Sequence, residues 1–309
     1  MKSIFMLLNP FIFLPIALLL LIFFLENREY KKTSYYKITK YPLLAVRLNI
    51  GRNGEYLTYK CLRNYEEQGA KFLFNVYVPK ANGETSEIDV MMIHKKGIFV
   101  FESKNYSGWI FGNETQKMWT QVLPAGKGHS HKESFYNPIL QNQSHIKHLK
   151  TFLGETIEMK SIIVFSERCT FKNVQVKNDD FYVIKRNNIT HVVNTICNSI
   201  QADVLNDNDI CKIYDRLYPF TQVDAAAKEQ HINNIKKKQH ATGTENTSKE
   251  KAPIPTTVSP VTSEPNILTC PRCGGKLLLR TAAKGANAGR QFYGCSNYPK
   301  CRYIQNITK

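Results

Sequence analysis

Apolar and polar positions alternate with recognisable periods between residues 51 and 219, and the pattern predicts a mixed α/β domain. From Lys71 to Val78, apolar side chains occupy every second position up to Pro79, which predicts a strand. Further strands are predicted at residues 85–93, 98–101, 109–112, 118–123, 161–166 and 181–184, and helices at residues 53–69, 137–153, 190–201 and 207–217.

The stretch from residue 84 to residue 110 predicts a β-hairpin that carries ionisable residues where strands normally carry none. Residues 94–97 form a polar turn between two apolar runs. If the pairing is centred on the middle of this turn, Asp89 lies opposite Glu102 and Glu87 lies opposite Lys104. A loop of three or five residues would instead move Asp89 to the opposite face of the sheet.

Two carboxylates that face each other across a strand pair repel, so the arrangement favours a cation between them. Side chains alternate at period two, which places Lys104 on the same face as Glu102. Oxygen ligands of this kind suit Mg²⁺ or Mn²⁺, and the set of Asp89, Glu102 and Lys104 is typical of a metal-dependent phosphodiesterase. The alternative is an ordinary cross-strand ion pair between Glu87 and Lys104.

Three segments resemble the NERD (nuclease-related) domain, which is similar to the PD-(D/E)xK nucleases. They are residues 87–89, residues 97–105 together with Gly108, and residues 137–141. The resemblance runs from about Gly51 to Phe165. It implies an α/β fold with a mixed-sheet PD-(D/E)xK nuclease-like core.

By this resemblance, Asp89 and Glu102 are expected to be ligands of a catalytic Mg²⁺ or Mn²⁺, and Lys104 the catalytic lysine. Glu55 is expected to be an accessory carboxylate on the first helix, and Gln141 a site residue on the second. Glu55 also has a purely structural explanation, because a glutamate in a first helical turn complements the helix dipole.

Residues 4–25 form an uncharged run of 22 residues, long enough as a helix to cross a bilayer. A cleaved signal peptide is the alternative, although no small-residue cleavage site precedes Glu26. The basic residues that follow the run predict, by the positive-inside rule, a single-pass protein of the cell inner membrane with most of the chain in the cytoplasm.

The chain of 309 residues carries a net charge of +17 and has a pI near 9.4, which favours polyanions or anionic membrane surfaces as partners. A change to Pro-, Thr-, Ser- and Lys-rich composition marks a linker. The expected organisation is a transmembrane helix (4–25), a juxtamembrane tether (26–50), the nuclease-like domain (51–219), a disordered linker (220–267) and a small zinc ribbon (268–309).

Four cysteines near the carboxyl terminus have the spacing of a structural zinc site. Cys270 and Cys273 form one pair, Cys295 and Cys301 form another, and 21 residues separate the pairs. So short a segment buries too little surface to fold unaided, whereas zinc supplies roughly 10–16 kcal/mol of coupled folding free energy. Disulfides are the alternative, which the reducing cytoplasm disfavours.

This segment resembles the carboxy-terminal zinc ribbon of bacterial type IA topoisomerases. Residues 268–309 contain eight Lys and Arg and no Asp or Glu, with aromatic residues interleaved. Such a composition suits stacking on the bases and contact with the phosphates of single-stranded DNA, although a structural ribbon with solvated charges is the alternative. The candidate DNA contacts are Arg272, Arg290, Phe292, Tyr293, Tyr298, Lys300, Arg302 and Tyr303.

Together these patterns predict a membrane-anchored, metal-dependent nuclease that hydrolyses DNA and holds it with a zinc ribbon. The alternative is a catalytically silent, nuclease-like protein that binds DNA or acts as a scaffold at the membrane. RNA also stays open as the polymer, because stacking and phosphate contacts alone do not separate it from DNA.

Overall fold

The computed structural model describes residues 10–126, 129–154, 156–224, 226, 228–231, 233–234, 270–274, 277–281, 291–296, 301 and 303–306. These residues belong to two compact units, with the division between Thr247 and Ser248.

The described part of the first unit contains eight α-helices and nine β-strands. The helices are α1 (Pro10–Lys32), α2 (Ser34–Thr39), α3 (Leu43–Leu48), α4 (Ile50–Leu62), α5 (Asn64–Glu67), α6 (Pro138–Leu153), α7 (Ile189–Ser199) and α8 (Asp207–Leu217). The strands are β1 (Lys71–Pro79), β2 (Thr85–His94), β3 (Gly97–Lys104), β4 (Gly108–Asn113), β5 (Met118–Pro124), β6 (Ser130–Tyr136), β7 (Met159–Phe165), β8 (Cys169–Gln175) and β9 (Phe181–Lys185).

The first sheet has the strand order β1-β2-β3-β7-β9. The β1–β2 and β2–β3 pairs are antiparallel, whereas β7 is parallel to both β3 and β9. Helices cover this sheet, and its central strands are apolar on both faces, as expected for strands buried on two sides. The mixed α/β fold predicted from the sequence is therefore confirmed.

The central hairpin has the register that the sequence predicts. His94 pairs with Gly97, which leaves a loop of two residues, and Val90 pairs with Phe101. Gly97 has a φ of 114°, a conformation that glycine adopts readily at the end of a tight turn. Because the turn fixes the pairing, residues 89 and 102 come to lie at the end of the ladder.

A second sheet, with the order β6-β5-β4-β8, continues from the first. Its inner face packs around the fully buried Trp119 together with Phe165 of β7. Neither β6 nor β8 is among the strands predicted from the sequence. Six of the seven residues of β6 are exposed, so this strand lacks the apolar alternation that would reveal it.

The segment expected to be a tether, residues 26–50, is folded instead. It forms the end of α1 and the whole of α2 and α3, and Tyr30, Tyr35 and Val46 are buried in the main core. The start of the expected linker is also ordered near the domain, since His231 is only 8% exposed. The rest of the linker lies largely outside the described residues.

Within the described residues, no helix combines the length and the apolar composition required to cross a bilayer. The transmembrane helix expected at residues 4–25 is therefore not found, and residues 4–9 of that run lie outside the described part. Residues from 10 onward belong to α1.

Helix α4 begins earlier than the sequence indicated. The predicted helix starts at residue 53, whereas the N-cap of α4 is Asn49, whose side-chain oxygen accepts a hydrogen bond of 3.0 Å from the Arg52 amide. Glu55 consequently lies in the second turn of the helix, beyond the range in which a carboxylate would mainly serve the helix dipole.

The second unit contains three short antiparallel strands in the order β10-β11-β12 among its described residues. They are β10 (Leu277–Thr281), β11 (Gln291–Cys295) and β12 (Ile304–Asn306). Cys270, Cys295 and Cys301 form the small core of this unit together with Leu277, and Cys273 lies exposed beside it, which is the arrangement expected of a zinc ribbon.

Candidate nuclease site and zinc centre

The carboxylate of Glu102 lies at the carboxyl end of β3 and is 1% exposed. Its Oε1 atom is 2.6 Å from Nζ of Lys104, two residues further along the same face. Lys104 Nζ also donates a hydrogen bond of 3.1 Å to Oε1 of Gln141 on α6. The structure thus brings together three of the residues that the sequence singled out.

Asp89 lies where the β2–β3 ladder ends. Its Oδ2 atom accepts a hydrogen bond of 2.9 Å from the backbone amide of Ser103. The last residue pair of the ladder is Val90 with Phe101. The Ser103 amide therefore lies beyond the paired residues, and the Asp89 side chain serves as its acceptor. This contact fixes the Asp89 carboxylate between the two strands, next to Glu102.

Glu55 is held by two donors from distant parts of the chain. Its Oε2 atom accepts hydrogen bonds from the Tyr35 hydroxyl at 3.0 Å and from Nδ2 of Asn75 at 3.1 Å. Asn75 has a φ of 49°, a left-handed conformation that is uncommon for a residue within a strand. Backbone strain of this kind concentrates at functional sites.

Helix α6 positions Gln141 and His145 on one side, four residues apart. The Asn137 side chain caps the helix through the Ile139 amide. The Asn142 amide group donates to the backbone oxygen of Val100, which anchors the helix over the sheet.

His145 extends the site on the side away from Lys104. Its Nδ1 lies 2.7 Å from the Ser86 hydroxyl and its Nε2 lies 3.3 Å from Oε2 of Glu102. The second contact is short enough for an ion pair but lacks hydrogen-bond geometry, and both atoms are buried without a hydrogen-bond partner among the described residues. A buried carboxylate oxygen in this state is chemically suited to a metal ion.

The donor set fits an open metal site rather than a closed cage. Within the described part of the chain, the four cysteines are the one group of three or more His, Cys, Asp or Glu residues whose ligand atoms lie within 4.8 Å of one another. Mg²⁺ commonly binds through one or two carboxylates, with water and substrate oxygens completing its coordination. Asp89 and Glu102 match that pattern.

Electrostatics separate the roles of the ionisable groups. Burial opposes ionisation of Glu102, yet Lys104 and His145 outweigh it and lower the pKa of Glu102. Burial likewise disfavours charge on Lys104, but Glu102 and Asp89 raise its pKa. Burial and the nearby Glu102 and Glu55 raise the pKa of Asp89 well above its usual range, and burial raises the pKa of Glu55 to about 7. An additional cation would stabilise the ionised forms of Asp89 and Glu55.

Glu87 does not pair with Lys104. The Tyr77 hydroxyl donates a hydrogen bond of 2.7 Å to Oε1 of Glu87, and Nε2 of His231 lies 3.6 Å from Oε2. Within the described residues, no ion pair of 4.0 Å or less joins Glu87 and Lys104. The cross-strand ion pair that was the alternative explanation of these charges is therefore absent there.

The four cysteines of the second unit converge as expected. Sγ of Cys270 lies 3.8 Å from that of Cys301, and Sγ of Cys273 lies 3.4 Å from that of Cys295. No disulfide joins these four described cysteines. Four sulfurs about 2.3 Å from one tetrahedral Zn²⁺ are about 3.8 Å apart, whereas a disulfide requires about 2 Å. The sulfur positions fit zinc and exclude the disulfide alternative.

The candidate DNA contacts are only partly described. Arg272 is exposed in the turn between the first two cysteines. Tyr293 and Tyr303 are half-buried against the cysteine core, so part of each ring supports the fold. Phe292 lies on β11, but its side chain is outside the described part. Four further candidates, Arg290, Tyr298, Lys300 and Arg302, lie outside the described residues.

Three residues of the site were not assigned a role from the sequence. Tyr35 and Asn75 contact Glu55 across 20 residues of sequence in opposite directions, and no local pattern indicates such contacts. Asn75 is a polar residue between Leu73 and Tyr77 on the other face of β1, which is a signal that could have identified it. His145 belongs to a polar stripe on α6 whose direction the sequence could not determine.

We predict that the stability of the metal-free protein falls as pH rises from about 4.5 through about 7. The folded-state pKa of Glu55 is raised from 4.5 to about 7, so folding favours the protonated form and loses that contribution over this window. Glu55→Gln keeps the hydrogen-bond acceptor without the charge and should flatten this dependence. Chemical denaturation of both proteins at pH 5 and pH 8 measures it, and equal slopes would contradict the assignment.

We predict one zinc ion per chain at the cysteine cluster. Cys273→Ser should lower the zinc content well below one equivalent and abolish the β-structure of the second unit, because that unit folds around the metal. Elemental analysis and NMR report these two properties. Cys211→Ser, at an exposed cysteine outside the cluster, is the matched control and should retain full zinc.

Comparison with known proteins agrees with this geometry. The family model of the nuclease-related domain matches residues 50–166, and that of the topoisomerase DNA binding C4 zinc finger matches residues 267–309. The ribbon is 55% identical over 40 residues to DNA topoisomerase 1 of Methanocaldococcus jannaschii, a match that covers 13% of this chain and 5% of that protein. No solved structure matches the chain.

An uncharacterized protein of Bacillus anthracis matches a longer stretch of the chain. It is 30% identical over 189 residues, which cover 61% of this chain and 84% of that protein. The match therefore extends well beyond the region covered by the domain model. The chain belongs to the nuclease-related domain family and carries, in addition, a topoisomerase-type C4 zinc ribbon.

Proposed function

We propose that the protein is a metal-dependent nuclease that cleaves DNA by phosphodiester hydrolysis. The observation that carries this proposal is the arrangement of Lys104, which contacts the buried Glu102 and lies beside Asp89 at the end of one strand pair. Three ionisable groups at one point of a sheet cost folding free energy, and a reaction on a phosphate gives them a use.

In this proposal Asp89 and Glu102 hold Mg²⁺ or Mn²⁺, which when bound activates water and neutralises charge on the phosphate. Lys104 contributes a fixed positive charge toward the developing negative charge. Gln141 holds the lysine amine by its hydrogen bond of 3.1 Å. Glu55, whose pKa of about 7 lets it gain or lose a proton near neutrality, is suited to accept a proton from water.

The zinc ribbon supplies a second grip on DNA in this proposal. The matched family model and the topoisomerase relative both carry DNA-related names, and the described ribbon exposes Arg272. Linking this module to the nuclease domain raises the local concentration of DNA at the site. We propose single-stranded DNA as its ligand because unpaired bases leave their faces open to Tyr293 and Tyr303.

The proposal predicts cleavage of DNA by the full chain in the presence of Mg²⁺ or Mn²⁺. Glu102→Gln and Lys104→Met should each reduce the cleavage rate by about 100-fold or more, the typical effect of removing one group that stabilises the transition state. Gel analysis of labelled single- and double-stranded DNA measures the rates. Lys212→Gln, at an exposed position on α8, is a matched control and should cleave normally.

Two results would contradict the proposal. Cleavage that survives both substitutions would show that the activity lies elsewhere or comes from a contaminant. DNA binding without cleavage in any divalent metal would favour the catalytically silent alternative.

We also propose that the amino-terminal apolar run holds the protein at the cell inner membrane, with the two units in the cytoplasm. Support comes from α1, where Leu18 to Leu25 includes side chains that are 49–66% exposed, an arrangement that leaves apolar surface without a protein neighbour. We predict that the chain sediments with membranes and withstands an alkaline wash. Removing residues 4–25 should release it, and a soluble full chain would refute this location.

A further inference from the structure

We propose that the outward face of the second sheet binds single-stranded DNA by base stacking, as a site separate from the zinc ribbon. We call this face the platform, and it consists of the outward side chains of β4, β5, β6 and β8. The inference rests on the proposed function and deepens it, because it names the polymer that the nuclease domain itself would hold.

The strand register determines which side chains the platform presents. Trp109 pairs with Val122 and with Thr170, and Val122 pairs with Lys132, so these residues form one row across the sheet. The neighbouring positions, such as Ile110 and Trp119, point inward to the core. The platform side chains are residues 109, 111, 113, 118, 120, 122, 124, 130, 132, 134, 136, 170, 172, 173 and 175.

Aromatic and flexible apolar side chains are unusually exposed on this face. Trp109 is 39% exposed, Tyr136 is 42% exposed and Met118 is 43% exposed, while Phe111 is half-buried between them in the sheet. Trp119 on the inner face is fully buried and serves the core, whereas the exposure of Trp109 shows that it does not. Exposed rings on a sheet offer flat surfaces on which unpaired bases stack.

The charge of the platform matches a phosphate backbone. None of its side chains is acidic, and it includes Lys132 and Lys172. Nζ of Lys172 lies 5.3 Å from the centre of the Trp109 ring, so a cation lies beside one of the exposed rings. The acidic Glu133 alternates with the platform positions of β6, so it belongs to the other face of the sheet, where it contacts His131 at 2.9 Å.

Glu114 lies just beyond the end of β4, and its carboxylate is occupied locally. Its Oε2 atom accepts hydrogen bonds from the backbone amides of Lys177 and Asn178, at 2.9 and 3.1 Å. These donors lower the pKa of Glu114 and partly neutralise its charge. The one acidic residue at this end of β4 therefore turns toward protein amides.

Short connections of three residues join the strands of the nuclease site to those of the platform. β3 ends at Lys104 and β4 begins at Gly108, while the parallel neighbours β7 and β8 continue in the same way. Trp109 follows Lys104 by five positions, which limits their Cα separation to about 18 Å. A single strand of a few nucleotides spans such a distance.

The joint between the two sheets is fixed by hydrogen bonds. The Arg168 guanidinium donates to the backbone oxygen of Asn105 at 2.8 Å, and the Ser166 amide donates to the backbone oxygen of Lys104 at 3.0 Å. The Asn105 amide group donates to the backbone oxygen of Ile50 at 2.8 Å. The platform is thereby held at a constant position relative to the site.

The experiment uses the intrinsic fluorescence of the full chain. Its two tryptophans are both in the second sheet, and none is in the ribbon. Oligo(dT) of about six nucleotides, added to zinc-loaded Glu102→Gln protein without Mg²⁺ or Mn²⁺, should quench part of the emission saturably as bases stack on Trp109. In Trp109→Phe the buried Trp119 remains, and the DNA-dependent quench should disappear.

Two further variants test affinity. Trp109→Ala should weaken binding of the short oligonucleotide by about 5- to 150-fold, the range for loss of one base–aromatic stack. Lys132→Gln with Lys172→Gln should lower the slope of log affinity against log salt by about 1.4, for two lost phosphate contacts. Lys212→Gln, an exposed lysine substitution on α8 outside the platform, is the control and should leave both quantities unchanged.

Three outcomes would overturn the platform: a quench that persists in Trp109→Phe, an equal quench by duplex DNA of the same length, or a quench by oligo(U) alone. The test is independent of catalysis. If the Glu102→Gln protein shows quenching but the wild-type protein with Mg²⁺ or Mn²⁺ does not cleave DNA, the proposed function is contradicted and the platform is supported. If the wild-type protein cleaves DNA but no quenching is seen, the platform is contradicted and the proposed function is supported.

Discussion

The structure of the site depends on one buried anion, the carboxylate of Glu102. Removing a carboxylate from water costs several kcal/mol unless a partner compensates it, and Lys104 is that partner at 2.6 Å. The pair fixes the end of β3, and α6 must then approach closely enough for Gln141 to bond the lysine amine. The same charge, together with burial, raises the pKa of Asp89.

The two strands that end at the site are each followed by a strand of the second sheet. β3 and β7 run parallel in the first sheet, and their continuations β4 and β8 run parallel in the second. The parallel pair of β3 and β7 sets the spacing of the site residues. The parallel pair of β4 and β8 that follows it sets the orientation of the aromatic face. Gly112 permits this arrangement, because a Cβ there would lie 2.4 Å from the Trp119 ring.

Local signals predicted the parts of the protein whose geometry is local. A two-residue turn sets the register of the hairpin, so Asp89, Glu102 and Lys104 could be placed from the sequence. Cysteine spacing likewise predicted the zinc centre, because the metal imposes its own geometry. The fold class followed from the periodicity of the apolar residues.

Contacts between segments that are distant along the chain could not be predicted from the sequence. Tyr35 reaches Glu55 only because α2 packs on the core, and the same residues appeared to be a polar tether when read alone. β6 escaped prediction because both of its faces are largely exposed, so no apolar period remains. Asn75 is a polar residue in a mostly apolar strand, but only the folded chain shows that its amide group donates to Glu55.

The packing of the amino-terminal helices has a consequence for how this family is divided. The family model begins at residue 50, yet Tyr35 is completely buried and its hydroxyl contacts both Glu55 and the backbone oxygen of Arg52. A fragment that starts at residue 50 would lack Tyr35 and the other buried side chains of the amino-terminal helices, and so part of its hydrophobic core. The evolutionary module and the physical folding unit of this protein therefore have different first residues.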